Sequence, residues 1–373
     1  MTAHRSIRVL IDLSVAPPGG AETYTAGLMA GLVEADIADR DQLVVVVDEQ
    51  WAAHHPEPVA ALRGAGVIVE PLAFPAPGTW RARLLRGRVL RHAAKRHRAD
   101  VAFFPREVAP RAGCPHVLLA NNLYAWQTFS SSSAVGGRFS AFALRLMARR
   151  RASSARSVLA VSRVIVDAMP AGLHVTAVVH NGCGLPEGKP RAFDTADGPR
   201  RVAMVGNLIP NKGIELAIEG VAQARELAPT WELEVYGNVA DQAYRAQLDE
   251  LGARHLGGSV LVGPAYGDDL VAAYARADVL VMGGSFESFC FPLVEAMRSG
   301  CVVVAPACAL VEEICGDVAV TFREGDPSSL AAALEQAWAE RSRRSPLGVE
   351  RSRRFSWSAT AERTVELVRA AVR

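Results

Sequence analysis

Two glutamates separated by seven residues form the most distinctive chemical pattern in the sequence. Glu287 and Glu295 lie in SFESFCFPLVEAMRSG (285–300), directly after the apolar run VLVMGG. We expect Glu295 to lie in a helix that opens near Phe291, and Glu287 in the loop before it. A carboxylate that accepts two hydrogen bonds from a vicinal diol suits ribose or another sugar, and a helix N-terminus between the carboxylates suits a diphosphate. The alternative, two solvated glutamates, is disfavoured by the phenylalanines around them.

A lysine follows another strand of the same half. VGNLIPNKGIELAIEG (205–220) places Lys212 just after a strand end, at or near the start of a helix. Only three lysines occur among the 41 cationic residues, so a lysine here suggests that a compact point charge is required. This pattern alone supports a phosphate-binding role and an ordinary surface position equally.

The first strand ends in PPGGAETYTAGLMAGL (17–32), a Gly-Gly turn followed by a helical pattern. Glycines let the backbone approach a ligand, and the helix N-terminus offers amides to a phosphate. The spacing is not that of the GxGxxG dinucleotide fingerprint. A structural turn and a phosphate loop both remain open for this segment.

The sequence offers little for a metal. Its only Asp-x-Asp string, Asp39–Arg40–Asp41, precedes a strand in an apparent surface loop, and we interpret it as coincidental. None of the six cysteines forms a CxxC pair suited to zinc, and we expect them to be reduced core residues. We therefore predict that the protein needs neither a metal nor a cofactor.

Short β-branched runs alternate with Ala- and Leu-rich helical patterns along the chain, which predicts the α/β class with doubly wound parallel sheets. At 373 residues the chain is long enough for two domains. We predict one Rossmann-like domain over 1–185, a linker over 186–200, a second such domain over 201–352, and a final helix over 353–373 that packs back across the junction. Seven strands are expected in the first domain and six in the second. Ligands of such sheets bind at the carboxyl ends of strands, here in a cleft between the domains.

Charge is distributed unevenly. Residues 1–198 carry 23 Lys and Arg against 16 Asp and Glu, and most of the excess lies in two helical stretches, 80–98 and 144–157. These stretches suit either anionic lipid or solvent, and because they are not rich in Trp or Phe we slightly favour a soluble acceptor. No apolar run approaches bilayer length and no signal-peptide pattern is present. We expect a cytoplasmic protein, with peripheral association at the inner membrane face as the alternative, and no nucleic-acid partner.

Taken together, these motifs give the chain a family resemblance. The Glu-x7-Glu element, VGNLIPNKG, HNG (180–182), PGGAE (18–22) and the terminal FSWSATAERTVEL resemble the large family of retaining glycosyltransferases with the GT-B architecture, family 4. The resemblance covers nearly the whole chain. It implies that the first domain binds a hydroxyl acceptor and the second binds a nucleotide sugar, most often a UDP sugar, in cell-envelope or natural-product glycan synthesis.

The resemblance also implies roles for individual residues. Glu295 would bind the ribose hydroxyls, Glu287 the transferred sugar, and Lys212 the diphosphate, with Glu287 and Lys212 as the catalytic pair. Backbone amides would contact phosphate and sugar oxygens, and a serine would line the cleft. The residues concerned are Gly19, Gly20, Phe289, Cys290, Phe291 and Ser162. Members of the family usually retain the anomeric configuration by front-face attack, without a metal or a covalent nucleophile.

Three positions depart from the family pattern. Asn207 stands where an arginine often helps the phosphate lysine, and Arg106 or Arg163 can supply that charge. Cys290 stands where many members have glycine, which brings a side chain near the sugar. Asn121 and Asn122 replace a frequent histidine and can hydrogen-bond a sugar hydroxyl. A sugar-nucleotide epimerase or a non-catalytic nucleotide-sugar-binding protein on the same scaffold are the alternative functions.

Overall fold

The computed structural model describes residues 6–14, 19–37, 42–74, 80–127, 138–188, 198–239 and 241–372. These residues form two compact units. The first contains the described residues up to Gly182 and those from Phe355 onward, and the second extends from Cys183 to Arg354. Each unit has a parallel β-sheet with helices, which confirms the predicted α/β class.

The first unit is built on a seven-stranded parallel sheet with the order β3-β2-β1-β4-β5-β6-β7. Its strands are β1 (Arg8–Asp12), β2 (Gln42–Asp48), β3 (Ile68–Leu72), β4 (Val101–Phe104), β5 (His116–Ala120), β6 (Ser157–Ala160) and β7 (Ala177–Val178). Its helices are α1 (Gly20–Glu34), α2 (Glu49–His54), α3 (Pro56–Gly64), α4 (Trp80–Arg96), α5 (Arg138–Ser154) and α6 (Arg163–Ala168). The strand order reverses direction between β1 and β4, and such a switch point opens a crevice at the carboxyl ends of the two strands.

The second unit repeats this plan with six strands in the order β10-β9-β8-β11-β12-β13. Its strands are β8 (Arg200–Val205), β9 (Trp231–Tyr236), β10 (Leu261–Gly263), β11 (Val279–Val281), β12 (Val302–Pro306) and β13 (Val320–Phe322). Its helices are α7 (Ile214–Leu227), α8 (Gln242–Leu256), α9 (Gly267–Arg276), α10 (Phe291–Arg298), α11 (Ala309–Cys315) and α12 (Pro327–Ser352). Here the switch point lies between β8 and β11.

The strands are buried on both faces, which explains their continuous apolar sequences. The central strands β4, β5 and β12 have almost no exposed residue, as expected for a parallel sheet covered by helices on both sides. All thirteen apolar runs predicted as strands form strands in the structure. The six cysteines are free thiols, and Cys183, Cys301 and Cys315 are buried.

The last helix, α13 (Trp357–Ala370), returns to the first unit and packs along α1. Gly27 and Gly31 on α1 make room for it, since a Cβ on Gly27 would lie 1.9 Å from the Trp357 ring. Gly182 does the same at the end of the HNG motif, where a Cβ would lie 2.3 Å from the Trp357 amide nitrogen. The HNG and FSW motifs are therefore two sides of one packing contact within the first unit.

Candidate functional site

Glycines bring two strand-end loops of the second unit into contact. The loop after β8 contains the three-residue 3-10 turn Pro210–Lys212 and then Gly213, whose φ of 66° lies in the left-handed region. A Cβ on Gly283, after β11, would lie 2.4 Å from the Gly213 carbonyl oxygen, and one on Gly284 would lie 2.1 Å from that of Asn211. Side chains at these positions would separate the loops.

Because the loops touch, Lys212 and Glu287 meet at the switch point. The Lys212 Nζ donates a hydrogen bond to the Glu287 Oε1 in an ion pair that remains partly open, with 27% and 17% of the two side chains exposed. Both residues line a cavity at the carboxyl ends of β8 and β11. Its lining includes Gly206, Asn207, Lys212, Gly284, Glu287 and Cys290. Four of the residues predicted for the donor site therefore share one cavity.

The N-terminus of α10 opens beside this cavity. Cys290 precedes the helix with a φ of 61°, a left-handed conformation in which glycine would be unstrained. Burial raises the pKa of its thiol, which keeps the sulfur protonated. Phe289 is buried and packs edge-to-face on Phe291, with ring centroids 5.4 Å apart. The phenylalanine rings thus anchor the turn, while the predicted contacts of this segment would come from its backbone.

Glu295 lies one turn further along α10 and is only 8% exposed. Its carboxylate accepts a hydrogen bond from the buried Tyr274 hydroxyl of α9 at 2.8 Å. Burial raises the pKa of Glu295 to about 7, and the Tyr274 hydrogen bond opposes that shift. Its burial and its Tyr274 partner set Glu295 apart from a glutamate on a solvated helix face.

At the switch point of the first unit, a buried carboxylate organises two arginines. Asp12 ends β1 with no exposed surface, and its Oδ2 lies 2.9 Å from a guanidinium nitrogen of Arg106, which follows β4. Arg106 also donates to the Asp12 carbonyl oxygen at 3.1 Å. The Ser14 hydroxyl donates a hydrogen bond to the same carboxylate and accepts one from the guanidinium of Arg86 on α4. Burial lowers the pKa of Arg86 to about 10 and the nearby Asp12 opposes this, so Arg86 stays charged at neutral pH.

Glu107 supports the loop that follows β5. It is buried and accepts hydrogen bonds from the backbone amides of Asn121 and Asn122, at 2.7 and 2.5 Å. Burial raises its pKa to about 7, and these amide contacts lower it. The Asn121 side chain donates to the Pro105 carbonyl, and the Asn122 side chain accepts from the amide of Tyr124. Both asparagines therefore hold the loop in shape before any ligand is present.

The other predicted positions of the first unit lie in the segments that follow β1 and β6. Gly19, with a φ of 104°, directly precedes α1, whose first residue is Gly20. Ser162 is buried after β6, and Arg163 starts α6. The string Asp39–Arg40–Asp41 lies outside the described residues. Among the residues that are described, no three His, Cys, Asp or Glu side chains form a group able to hold a metal ion.

Several residues of these two sites were not predicted, among them Asp12, Arg86, Glu107 and Tyr274. Asp12 and Glu107 carried a readable signal, because each is an acidic residue at or just after the end of an apolar strand. Arg86 and Tyr274 carried none, since each lies in a helical pattern where arginine or tyrosine is unremarkable. Only the fold brings Arg86 to Ser14 and Tyr274 to Glu295.

A family model described as "Glycosyl transferases group 1" matches residues 186–354, nearly the whole second unit. The chain is 30% identical over 190 residues to a D-inositol 3-phosphate glycosyltransferase of Corynebacterium glutamicum, covering 46% of this chain and 43% of that protein. It is 34% identical over 110 residues to a GDP-mannose-dependent alpha-mannosyltransferase of Mycobacterium tuberculosis, covering 30% and 26%. The matches thus span less than half the length of these curated relatives.

Solved structures resemble the chain over nearly its full length. A sucrose-phosphate synthase from Thermosynechococcus elongatus matches with a TM-score of 0.72 at 18% identity, over 98% of this chain and 99% of that one. The Anabaena protein HepE in complex with UDP-glucose matches with a TM-score of 0.69 at 17% identity, over 98% and 100%. At these identities the likeness concerns the fold.

Proposed function

We propose that the chain transfers a sugar from a nucleoside diphosphate donor to a hydroxyl acceptor. The premise is that it belongs, through residues 186–354, to the glycosyl transferases group 1 family. The GT-B fold shared with the solved structures agrees with this activity. The observation that carries the proposal is the Lys212–Glu287 pair in the cavity at the switch point of the second sheet.

The proposed chemistry requires charge stabilisation above all. The bond between the anomeric carbon and the diphosphate oxygen breaks, and the leaving diphosphate gains negative charge. When the donor binds, the Lys212 ammonium would leave Glu287 and pair with the diphosphate. The backbone amides at the start of α10 would donate further hydrogen bonds to it. Glu287 would then be released to accept hydrogen bonds from hydroxyls of the transferred sugar. Since Asn207 offers no charge, Lys212 is the cation of the cavity lining on which the leaving group depends.

We infer a metal-independent, retaining reaction. In this reaction the acceptor oxygen bonds to the anomeric carbon on the face that the phosphate leaves, and the departing phosphate oxygen takes the acceptor proton. Such a step balances without a protein nucleophile. It accounts for a site that pairs a lysine with a carboxylate, offers backbone amides and has no histidine among the described residues of the cavity lining.

The donor nucleotide and the acceptor are proposed by chemical class. The relatives and neighbours are named for GDP-mannose and UDP-glucose, so a UDP or a GDP sugar is the first choice. The acceptor hydroxyl would belong to a small molecule, a glycan or a lipid-linked sugar. Glu295, held by Tyr274, would take the ribose diol that both nucleotides share.

The test is donor turnover by the whole chain. Purified protein is incubated with UDP-glucose, UDP-N-acetylglucosamine or GDP-mannose, with and without EDTA, and both nucleoside diphosphate and free sugar are measured. We expect one donor to release both products slowly without an acceptor, and EDTA to leave the rate unchanged. An epimerase would isomerise the donor without releasing nucleotide, and a binding protein would release nothing. A rate that EDTA abolishes and manganese restores would contradict the metal-free mechanism.

A further inference from the structure

Helices α4 and α5 cover the same face of the first sheet. They make the crossovers from β3 to β4 and from β5 to β6, which run in the same direction across the sheet, and right-handed crossovers place such helices on one side. The packing agrees, because Leu90 and Ala93 of α4 belong to a core cluster against which Ala155, just after α5, also packs. The helix α13 lies with α1, whose crossover runs in the opposite direction.

These two helices are strongly basic. Seven lysines and arginines occur in α4 and five in α5, and neither helix contains an aspartate or glutamate. The charges have different surroundings, since Arg86 turns inward to Ser14 whereas Arg88, Arg149 and Arg150 are exposed. A surface of this kind attracts polyanions and repels a second copy of itself.

Large apolar side chains lie exposed among these charges. Leu84 and Leu85 on α4 are 58% and 46% exposed, and Phe142 and Leu146 on α5 are 65% and 40% exposed. Phe142 and Leu146 are four residues apart, so they stand on one side of α5, and Arg149 and Arg150 continue that side. The remaining exposed large hydrophobics of the described chain are scattered over other elements, two of them being Leu227 and Val262.

We propose that the exposed sides of α4 and α5, defined by Leu84, Leu85, Arg88, Phe142, Leu146, Arg149 and Arg150 and here called the α4–α5 face, bind an anionic lipid bilayer. Exposed leucine and phenylalanine beside arginines match an interface whose headgroups are negative and whose interior is apolar. A nucleic acid would use the arginines but leave Leu84 and Leu146 in water. No helix among the described residues is both long and apolar enough to span a membrane, so this contact is interfacial.

The position of the α4–α5 face gives it a use in the reaction. A helix between parallel strands runs back along the sheet, so its first turns lie at the carboxyl edge, and the Arg86–Ser14 hydrogen bond ties α4 to that edge directly. Leu84, Leu85 and Phe142 lie in the first halves of α4 and α5, and Leu146 lies at the middle of α5. If the proposed function holds, a membrane-borne acceptor would meet the protein at the strand ends where Asp12 and Arg106 lie. This last step rests on the proposed function, whereas lipid binding does not.

The test is sedimentation of the full chain with phosphatidylcholine vesicles, with and without phosphatidylglycerol, at low and physiological salt. We expect the protein to pellet with the anionic vesicles, more strongly at low salt. The double variants Phe142→Ser/Leu146→Ser and Arg149→Gln/Arg150→Gln should each weaken binding at least about tenfold. The matched control, Leu227→Ser/Val262→Ser, removes two exposed apolar residues of the second unit and should bind within about twofold of wild type.

Three sedimentation results would overturn the inference. The wild type stays in the supernatant with every vesicle, or neutral and anionic vesicles retain it equally, or the control variant loses as much binding as the α4–α5 variants. Light scattering on the same samples identifies a dimer interface instead, if the Phe142→Ser/Leu146→Ser variant turns a dimer into a monomer. Circular dichroism checks that each variant is folded. Since sedimentation needs no turnover, lipid binding and glycosyl transfer can fail independently.

Discussion

Glu295 illustrates a conflict between folding and ligand binding at a single residue. Its carboxyl group is buried beside Tyr274, and burial raises its pKa from 4.5 to about 7. The unfolded chain loses this proton more readily than the folded chain. The free energy of unfolding therefore falls as the pH rises from about 4.5 to about 7. Below that range the buried carboxyl group causes no such loss. A ribose diol, however, is bound best by the ionised carboxylate.

We predict that Glu295→Gln stabilises the protein at pH 8 but weakens nucleotide binding. Removing the titration should raise the free energy of unfolding by up to about 3 kcal/mol at pH 8, with the gain vanishing near pH 4.5. The affinity for UDP or GDP should fall at least about tenfold and lose its dependence on pH between 6 and 8. Urea unfolding and titration calorimetry across this pH range measure both effects. Unchanged nucleotide affinity would remove Glu295 from the site.

The sequence revealed the candidate residues of the second unit better than those of the first. Lys212 stood out because it follows an apolar strand end, and Glu287 and Glu295 stood out through their spacing and the phenylalanines around them. Their contacts were not predictable, since Lys212 and Glu287 lie 75 residues apart and meet only because β8 and β11 are neighbours. Arg86 was hidden, because its environment is set by a strand end more than seventy residues earlier in the chain.

At the scale of elements, the two strand-end loops depend on glycines that a sequence pattern marks only as turns. The Gly283–Gly284 pair packs against the backbone of 211–213 at distances that admit no Cβ. The sequence indicated that VLVMGG and VGNLIPNKG are both strand ends. It did not indicate that the two loops press on each other, because that contact depends on strand order.

We predict that Gly284→Ala separates the two loops. Its Cβ would lie 2.1 Å from the Asn211 carbonyl oxygen, so the backbone must move, at a cost of about 1 to 3 kcal/mol typical of overpacking. The displacement of Lys212 from Glu287 should lower donor turnover at least about tenfold. Gly258→Ala is the matched control, because a Cβ there meets no atom within 4 Å. Equal turnover by the two variants would show that the loop contact is irrelevant to the site.

A second prediction concerns α13, which returns to the first unit after the second unit is complete. Trp357 is 4% exposed and packs on Tyr24 of α1 edge-to-face, with ring centroids 5.7 Å apart. Trp357→Ala should reduce the stability of the first unit by about 3 to 5 kcal/mol, as for a buried tryptophan elsewhere. Thermal unfolding followed by circular dichroism measures this, with the exposed Leu227→Ala as control. A melting temperature equal to that of the control would contradict the packing described here.

At the scale of the whole molecule, the chain uses one plan twice. Both sheets begin with the order third, second, first, fourth strand, and each places charged residues at its switch point. The sequence predicted the thirteen strands of the described residues because buried parallel strands are short and apolar. It could not predict strand order, since every strand of a sheet has much the same composition. The strand order brings motifs that are distant in the sequence together in one site.

Removing the charge of Lys212 is the most direct test of the proposed donor site. Since Asn207 adds no charge to the cavity lining, loss of Lys212 should lower kcat/KM for donor turnover at least about 100-fold, mainly through kcat. Lys212→Arg should restore only part of the lost kcat/KM. It keeps the positive charge, but a planar guanidinium does not fit where a compact ammonium did. The measurement is the steady-state release of nucleoside diphosphate by wild type and both variants, with folding checked by circular dichroism. A folded Lys212→Ala protein within about fivefold of wild type would contradict the assignment and place the leaving-group charge elsewhere, with Arg106 or Arg163 tested next.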